Sequence, residues 1–150
     1  MKKIIFLNSQ CAEYDLVKKI RTEVFTNEQG ADAQGEFDCY DNSAEYALLF
    51  DDNTAIATAR LVKAESGCKI GRIAVLKQYR GQGLGDEIVR AVVQRAFNSG
   101  TQRVFVDAQN YAVGFYEKIG FKIIGDEITD RGLPHIPMCL ERSEYAEREE

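Results

Sequence analysis

Three glycines in five positions, Gly81-Gln82-Gly83-Leu84-Gly85, separate a strand-like run, Gly71-Arg72-Ile73-Ala74-Val75, from a stretch in which Leu84, Ile88, Val92 and Ala96 recur at four-residue spacing. Glycine costs about 0.5–1 kcal/mol wherever a helix or strand must form, so the bare segment needs a reason. A strand, this turn, a helix and the next strand, residues 103–108, make a parallel crossover unit. No other part of the chain narrows the fold as much. Where the helix begins, backbone N–H groups are unpaired and point outward, and the helix dipole favours an anion. Missing side chains let a phosphate approach the backbone closely. A glycine-rich turn without a ligand is the plainer alternative, because such motifs are weak signals alone.

Two familiar phosphate-binding patterns do not fit. A P-loop ends in Gly-Lys-Ser/Thr, whereas Gly85 is followed by Asp86 and Glu87. The fingerprint G-x-G-x-x-G, counted from Gly81, meets Asp86 in its third glycine slot. Upstream, residues 2–7 read as an edge-forming strand. Leu16, Ile20 and Val24 then place a helix that ends near Phe25. Residues 26–44 show little periodicity and read as a long loop, a length that is often functional. Residues 46–50, 55–63 and 68–75 follow as strands joined by short turns, an antiparallel meander. Downstream, Ala112, Phe115, Tyr116 and Ile119 put a helix over residues 111–119, capped by Gly120. Residues 121–128 and 136–142 close as strands around the loop RGLPHIP. The reading is a single α/β (α+β) domain over residues 1–143, with an acidic tail, residues 144–150, expected to fray.

The length of 150 residues fits one domain, and 45% apolar residues suffice for one core. No run approaches the ~20 apolar residues that span a bilayer, and the apolar IIFL near the start is too short for a signal peptide. Cys11, Cys39, Cys68 and Cys139 form no C-x-x-C pair, so no metal or redox motif is expected. Scattered cysteines without a secretory signal fit a reducing compartment, and a cytoplasmic location is expected. The net charge of −5 argues against nucleic-acid binding. That charge is unevenly spread. No lysine or arginine lies between Arg21 and Arg60, where nine acids sit, whereas Arg60 to Arg103 holds nine bases against Glu65, Asp86 and Glu87. Such runs are commonly solvated surface; the alternative is that one half handles an anion and the other a cation.

The ordered pair Ile73-Ala74-Val75-Leu76-Lys77-Gln78-Tyr79-Arg80-Gly81-Gln82-Gly83-Leu84-Gly85 and Phe115-Tyr116-Glu117-Lys118-Ile119-Gly120-Phe121 resembles the GNAT superfamily of acyl-CoA-dependent N-acyltransferases. The likeness runs over roughly residues 3–142. The stretches EVFTNEQG, GEFDCYD and GLPHIPM further resemble an uncharacterised bacterial branch. The resemblance implies a central mixed, mostly antiparallel sheet of six or seven strands, helices on both faces, and parallel fourth and fifth strands that splay apart. It also implies acetyl-CoA as cosubstrate. The loop Arg80, Gly81, Gln82, Gly83, Leu84 and Gly85 is then expected to hold the CoA diphosphate through backbone N–H groups. The freed edge of Ile73, Ala74 and Val75 is expected to bond the pantetheine arm like a substitute strand. Gln109 stands where such proteins commonly have asparagine, with Asn110 next to it, and Phe115 completes the implied cofactor contacts. The basic surplus of residues 60–103 suits the CoA phosphates.

Tyr116 matches the usual general acid of that family, which protonates the departing thiolate; packing on the apolar face of its helix is the other reading. The attacking amine must lose a proton. The strand glutamate that some members use is absent, since residues 104–106 are apolar. Glu23, Glu36, Asp38 and the single histidine, His135, are the candidates to contact or deprotonate the acceptor. The acidic loop inclines the acceptor toward a primary amine of a small cationic molecule, attacked directly in a ternary complex. The alternative is a non-catalytic CoA-binding sensor or regulatory module. A homodimer is open, as two-fold dimers are the commonest assembly.

Overall fold

The computed structural model describes residues 1–31 and 35–145. Its strands are β1 (Lys2–Asn8), β2 (Glu45–Asp51), β3 (Thr54–Ala64), β4 (Gly67–Val75), β5 (Arg103–Gln109), β6 (Lys122–Ile123), β7 (Ile128–Asp130) and β8 (Leu133–Glu141). The helices are α1 (Tyr14–Arg21), α2 (Leu84–Asn98) and α3 (Val113–Ile119). The strands belong to one mixed sheet in the order β1-β2-β3-β4-β5-β8-β6, with β7 paired to β8. Only β4 and β5 run parallel. The expected mixed sheet with helices on both faces is what forms, with eight strands in place of six or seven.

The two faces explain the sequence of β2. Tyr46, Ala47, Leu48 and Leu49 are all fully buried, with no polar break. Successive strand side chains point to opposite faces. Tyr46 and Leu48 join Val17, Ile20, Val24 and Phe25 in the core beneath α1. Ala47 and Leu49 join Ile88, Val89, Val92 and Val93 in the core beneath α2. Each such aliphatic side chain contributes about 1.5–3 kcal/mol on full burial.

Three boundaries differ from the sequence reading. The first helix ends at Arg21 and continues as a π-helical turn, Thr22–Glu28, that keeps Val24 and Phe25 in the core. The strand expected over 121–128 divides into β6 and β7. The last strand starts at Leu133, ahead of the expected 136, so His135 lies within a strand and not in a loop. Pro134 and Pro137 hid this, since proline usually interrupts pairing, yet both are paired in register, with Thr129 and Asp107. The acidic tail begins docked: Lys122 pairs with Glu144, and the Tyr145 ring lies 5.5 Å from that of Phe97. Residues 146–150 of that tail lie outside the described residues.

The central feature is where β4 and β5 part. They pair only at Cys68–Val104, Lys69–Phe105 and Ile70–Val106. Beyond that, two residues of β4, Arg72 and Ile73, stand opposite one of β3, Ala59, between the pairs Thr58–Ala74 and Arg60–Gly71. Arg72 sits in this bulge with φ +48°, in the left-handed region. A bulge bends and twists its strand. Here it turns Ile73–Val75 away from β5 while β3 still holds Ala74 and Val75.

Candidate functional site

The parting strands open a cleft of about 800 Å³, walled by residues that include Ile73 of β4, Val106 and Gln109 of β5, Phe115 and Tyr116 of α3, and His135 of β8. That volume falls in the range of small-molecule sites. Ala74 faces away, buried in the core beneath α1, and Val75 is half-buried.

Next to the cleft, α2 begins at Gly83 without a side-chain cap. Gly81 and Gly83 have φ of +81° and +78°, which only glycine adopts freely. Gly85 has no such excuse. A Cβ built there would lie 3.7 Å from the Phe115 ring, an ordinary contact. Its bareness is therefore not imposed by the chain's own packing, and it leaves the helix start open to an anion. Gly81, Gln82 and Gly83 are exposed, whereas the Leu84 side chain anchors the helix in the core. Arg80 braces the loop. Its Nε donates to the Val75 carbonyl at 2.9 Å, and its two terminal nitrogens grip both carboxylate oxygens of Glu28.

Tyr116 is 7% exposed, with its ring edge-on to those of Phe115 and Phe121 at 5.0 and 5.5 Å. Burial, helped by the neighbouring Tyr111, raises its pKa well above the ordinary tyrosine value. The hydroxyl therefore stays protonated. His135 is in register with Gln109 across β5 and β8. Its Nδ1 is 2.9 Å from the Leu133 carbonyl oxygen. A carbonyl only accepts, so the neutral ring carries its proton on Nδ1 and keeps a lone pair on Nε2. Gln109 donates to Gln29 at 3.0 Å, and Gln29 donates to Tyr111 at 3.3 Å, forming an amide chain along the rim. Asn110 is exposed and outside the cleft wall.

The acidic candidates are placed differently from the expectation. Glu36 is 1% exposed and absent from the cleft wall. Arg21 holds one of its oxygens at 2.6 Å and Arg131 the other, so its carboxylate serves guanidiniums and not an incoming amine. Asp38 does line the cleft, but pairs with Arg60 at 2.8 Å and caps the short turn Cys39–Asn42. Glu23 is exposed on the π-helical turn, where it accepts from Asn27, and is not in the wall. Asp41 completes the network. Burial pushes its pKa up, but bonds from Arg21, Tyr46 and the Asp38 backbone outweigh this and hold the carboxyl well below the usual range.

The charge halves of the sequence are thus largely each other's partners. Arg60 and Arg72 meet Asp38, Asp41 and Glu36; Arg80 meets Glu28; Arg95 meets Glu45. The arginines assigned in bulk to CoA phosphates are mainly spent this way. Sequence reasoning missed Arg60, Arg72 and Arg131 in the wall, together with Asp107 and its partner Lys69. The one signal was the arginine-free stretch itself, whose acids had to find cations elsewhere.

Comparison with known proteins agrees with this geometry. Residues 10–142 match the family described as acetyltransferase (GNAT) domain. The uncharacterized N-acetyltransferase YjcF of Bacillus subtilis is 33% identical over 120 residues, covering 79% of this chain and 86% of that one. An acyl-CoA N-acyltransferase structure from Pseudomonas aeruginosa superposes with a TM-score of 0.85 at 26% identity, covering 93% of this chain and 99% of that one. A GNAT family acetyltransferase from Elizabethkingia anophelis, with acetyl-CoA bound, shares the fold: TM-score 0.70, 21% identity, 93% and 97% coverage.

Proposed function

Because the chain belongs to the GNAT acetyltransferase family, we propose that it transfers the acetyl group of acetyl-CoA directly to a primary amine of a small molecule. The observation that carries this reading is the parted β4–β5 edge lying beside an uncapped, glycine-flanked helix start and a buried tyrosine. Acetyl-CoA supplies the acyl group as a thioester. The N–H groups of Gly81–Gly85 suit its diphosphate, and the free edge of Ile73–Val75 suits its pantetheine arm. Gln109 and Phe115 line the same passage.

In the reaction the amine nitrogen bonds to the acyl carbon and the carbon–sulfur bond breaks. His135 Nε2 takes the proton that the amine sheds, and Tyr116 delivers one to the departing thiolate. Both side chains line the one cleft. The acceptor's cationic character, expected from Glu36 and Asp38, loses its basis because arginines hold both.

The test is thiol release from acetyl-CoA with an amine panel. Tyr116→Phe should lower the rate by about 10²–10⁴-fold, the usual worth of a placed acid. If no amine raises thiol release above hydrolysis while CoA still binds, the chain is a CoA-responsive module and not an enzyme.

A further inference from the structure

Three carboxylates line the cleft among the described residues, Asp38, Asp107 and Asp130. Asp38 is held by Arg60 and Arg72, and Asp130 is exposed at the end of β7. Asp107 differs from both. Its side chain is 27% exposed, and its Oδ2 accepts from Lys69 Nζ at 2.5 Å. Its Oδ1 accepts no hydrogen bond from a described residue. Lys69 is a loose partner: its side chain is 52% exposed, and an ion pair with one end in water is worth about 0.2–1 kcal/mol. A ligand ammonium replaces it at little cost.

The surroundings of Asp107 have room for such a ligand. Val104, Val106 and Ala108 lie in the core beneath α2, so Phe105, Asp107 and Gln109 face the other side of the sheet. Asp107 stands one step beyond Ile70–Val106, the last pair that β4 and β5 make. Gly71 is level with it on β4, and a Cβ built on Gly71 would meet nothing within 4 Å. The point where the strands part is therefore open in front of the carboxylate. Across β8, Asp107 is opposite Pro137 and Gln109 is opposite His135. Asp107 and His135 are thus diagonal neighbours on one face, about 7–8 Å apart at the backbone, and both line the cleft. A ligand nitrogen between them meets a carboxylate on one side and an imidazole on the other.

We propose that Asp107 receives the acceptor as an ammonium, and that Lys69 fills this place until the acceptor displaces it. The acceptor class is then an aliphatic primary amine, which is cationic near neutral pH, and not an arylamine. This rests on the acetyl-transfer reading but is tested apart from it. Before attack the ammonium gives one proton to His135 Nε2; the amine is left neutral with its lone pair free, and the positive charge moves to the imidazolium. Asp107 faces that charge in both states, so holding the ammonium does not oppose its deprotonation. The cationic acceptor that Glu36 and Asp38 no longer support regains a partner on a different carboxylate.

The full-length chain, saturated with CoA, is titrated with linear primary alkylamines and benzylamine, with the alcohols of the same carbon skeletons, and with aniline. Calorimetry reads binding without turnover. The best amine is expected to bind about tenfold more tightly than its alcohol and than aniline, the gain of a charge-assisted hydrogen bond. Equal binding of amine and alcohol, or no binding of any amine, overturns the proposal. Asp107→Asn should abolish the preference. Lys69→Gln should tighten amine binding by about two- to fivefold, because it removes the internal competitor. A pair that only ties β4 to β5 predicts no such gain, so unchanged or weaker amine binding in Lys69→Gln overturns the exchange. If Asp107→Asn does not fold, Lys69→Gln still decides. A preference that survives Asp107→Asn but is lost in Asp130→Asn moves the subsite to the rim and overturns the assignment. Thiol release with the same compounds separately tests acetyl transfer: amine preference without release spares the Asp107 subsite and sinks the enzyme, whereas release with full amine affinity in Asp107→Asn does the reverse.

Discussion

Among the described residues, Asp41 accepts more hydrogen bonds than any other carboxylate. It accepts from Arg21 at 2.7 Å, from Arg60 at 3.2 Å, from the Tyr46 hydroxyl at 2.5 Å and from the Asp38 backbone at 2.9 Å. Removing its charge leaves Arg21, which is fully buried, with Glu36 as its one remaining carboxylate partner among the described residues. Asp41→Asn should therefore cost about 3–5 kcal/mol, as breaking a buried pair from one side does, measured as a lower urea midpoint at unchanged slope. The same carboxylate sets an acid limit. Its folded pKa lies below the unfolded value, so it contributes stability that is complete above an unfolded pKa of about 3.9. That contribution is lost as pH falls through and below this value toward the folded pKa. The wild-type melting temperature should drop steeply there, and Asp41→Asn should flatten the drop. A variant that melts with the same acid profile would show that Asp41 is not the group responsible.

Among the elements, the connections with chemical consequence are the short ones. The turn from β4 into α2 is tied on one side to Val75 and on the other to the π-helical turn, through Arg80 and Glu28. Both partners are partly exposed, so the pair is worth about 0.2–1 kcal/mol. Glu28→Gln should weaken CoA binding by no more than about fivefold, with the difference vanishing at high salt as exposed charges are screened. A salt-independent loss would mean that Glu28 contacts the ligand or packs the turn, and does not act as a brace. This turn was legible in the sequence because glycines, strand and helix are neighbours along the chain. So was the meander, whose two turns are two residues each. Tyr116 was legible through the local run around it. The arginine network was not, since Arg21 meets Glu36 across 15 positions and Arg131 meets it across 95, and no periodicity links them. His135 was misplaced for a different reason: flanking prolines read as a loop, although pairing to β5 and β7 carries the strand through them.

At the scale of the whole molecule, the sheet is nearly two sheets. β1–β4 form an antiparallel half and β5–β8 another, joined by three parallel residue pairs at one end. α2 holds them together by burying Leu84, Ile88, Val89, Val92, Val93, Ala96 and Phe97 against both. A ligand lying between Ile73–Val75 and β5 would supply the missing rungs at the open end, so its binding energy should be felt by the whole fold and not by one loop. At 100 times its dissociation constant, CoA should stabilise the native state by about 2.7 kcal/mol. ATP and NAD, which share the diphosphate but lack the pantetheine arm, should do much less. Hydrogen exchange locates the effect: CoA should slow the amides of residues 73–75 as well as those of 81–85. Protection confined to 81–85 would mean that the diphosphate alone is held and the strands part for another reason. Protection at both, with one cooperative unfolding transition shifted upward, would follow from a cosubstrate that completes the sheet it enters.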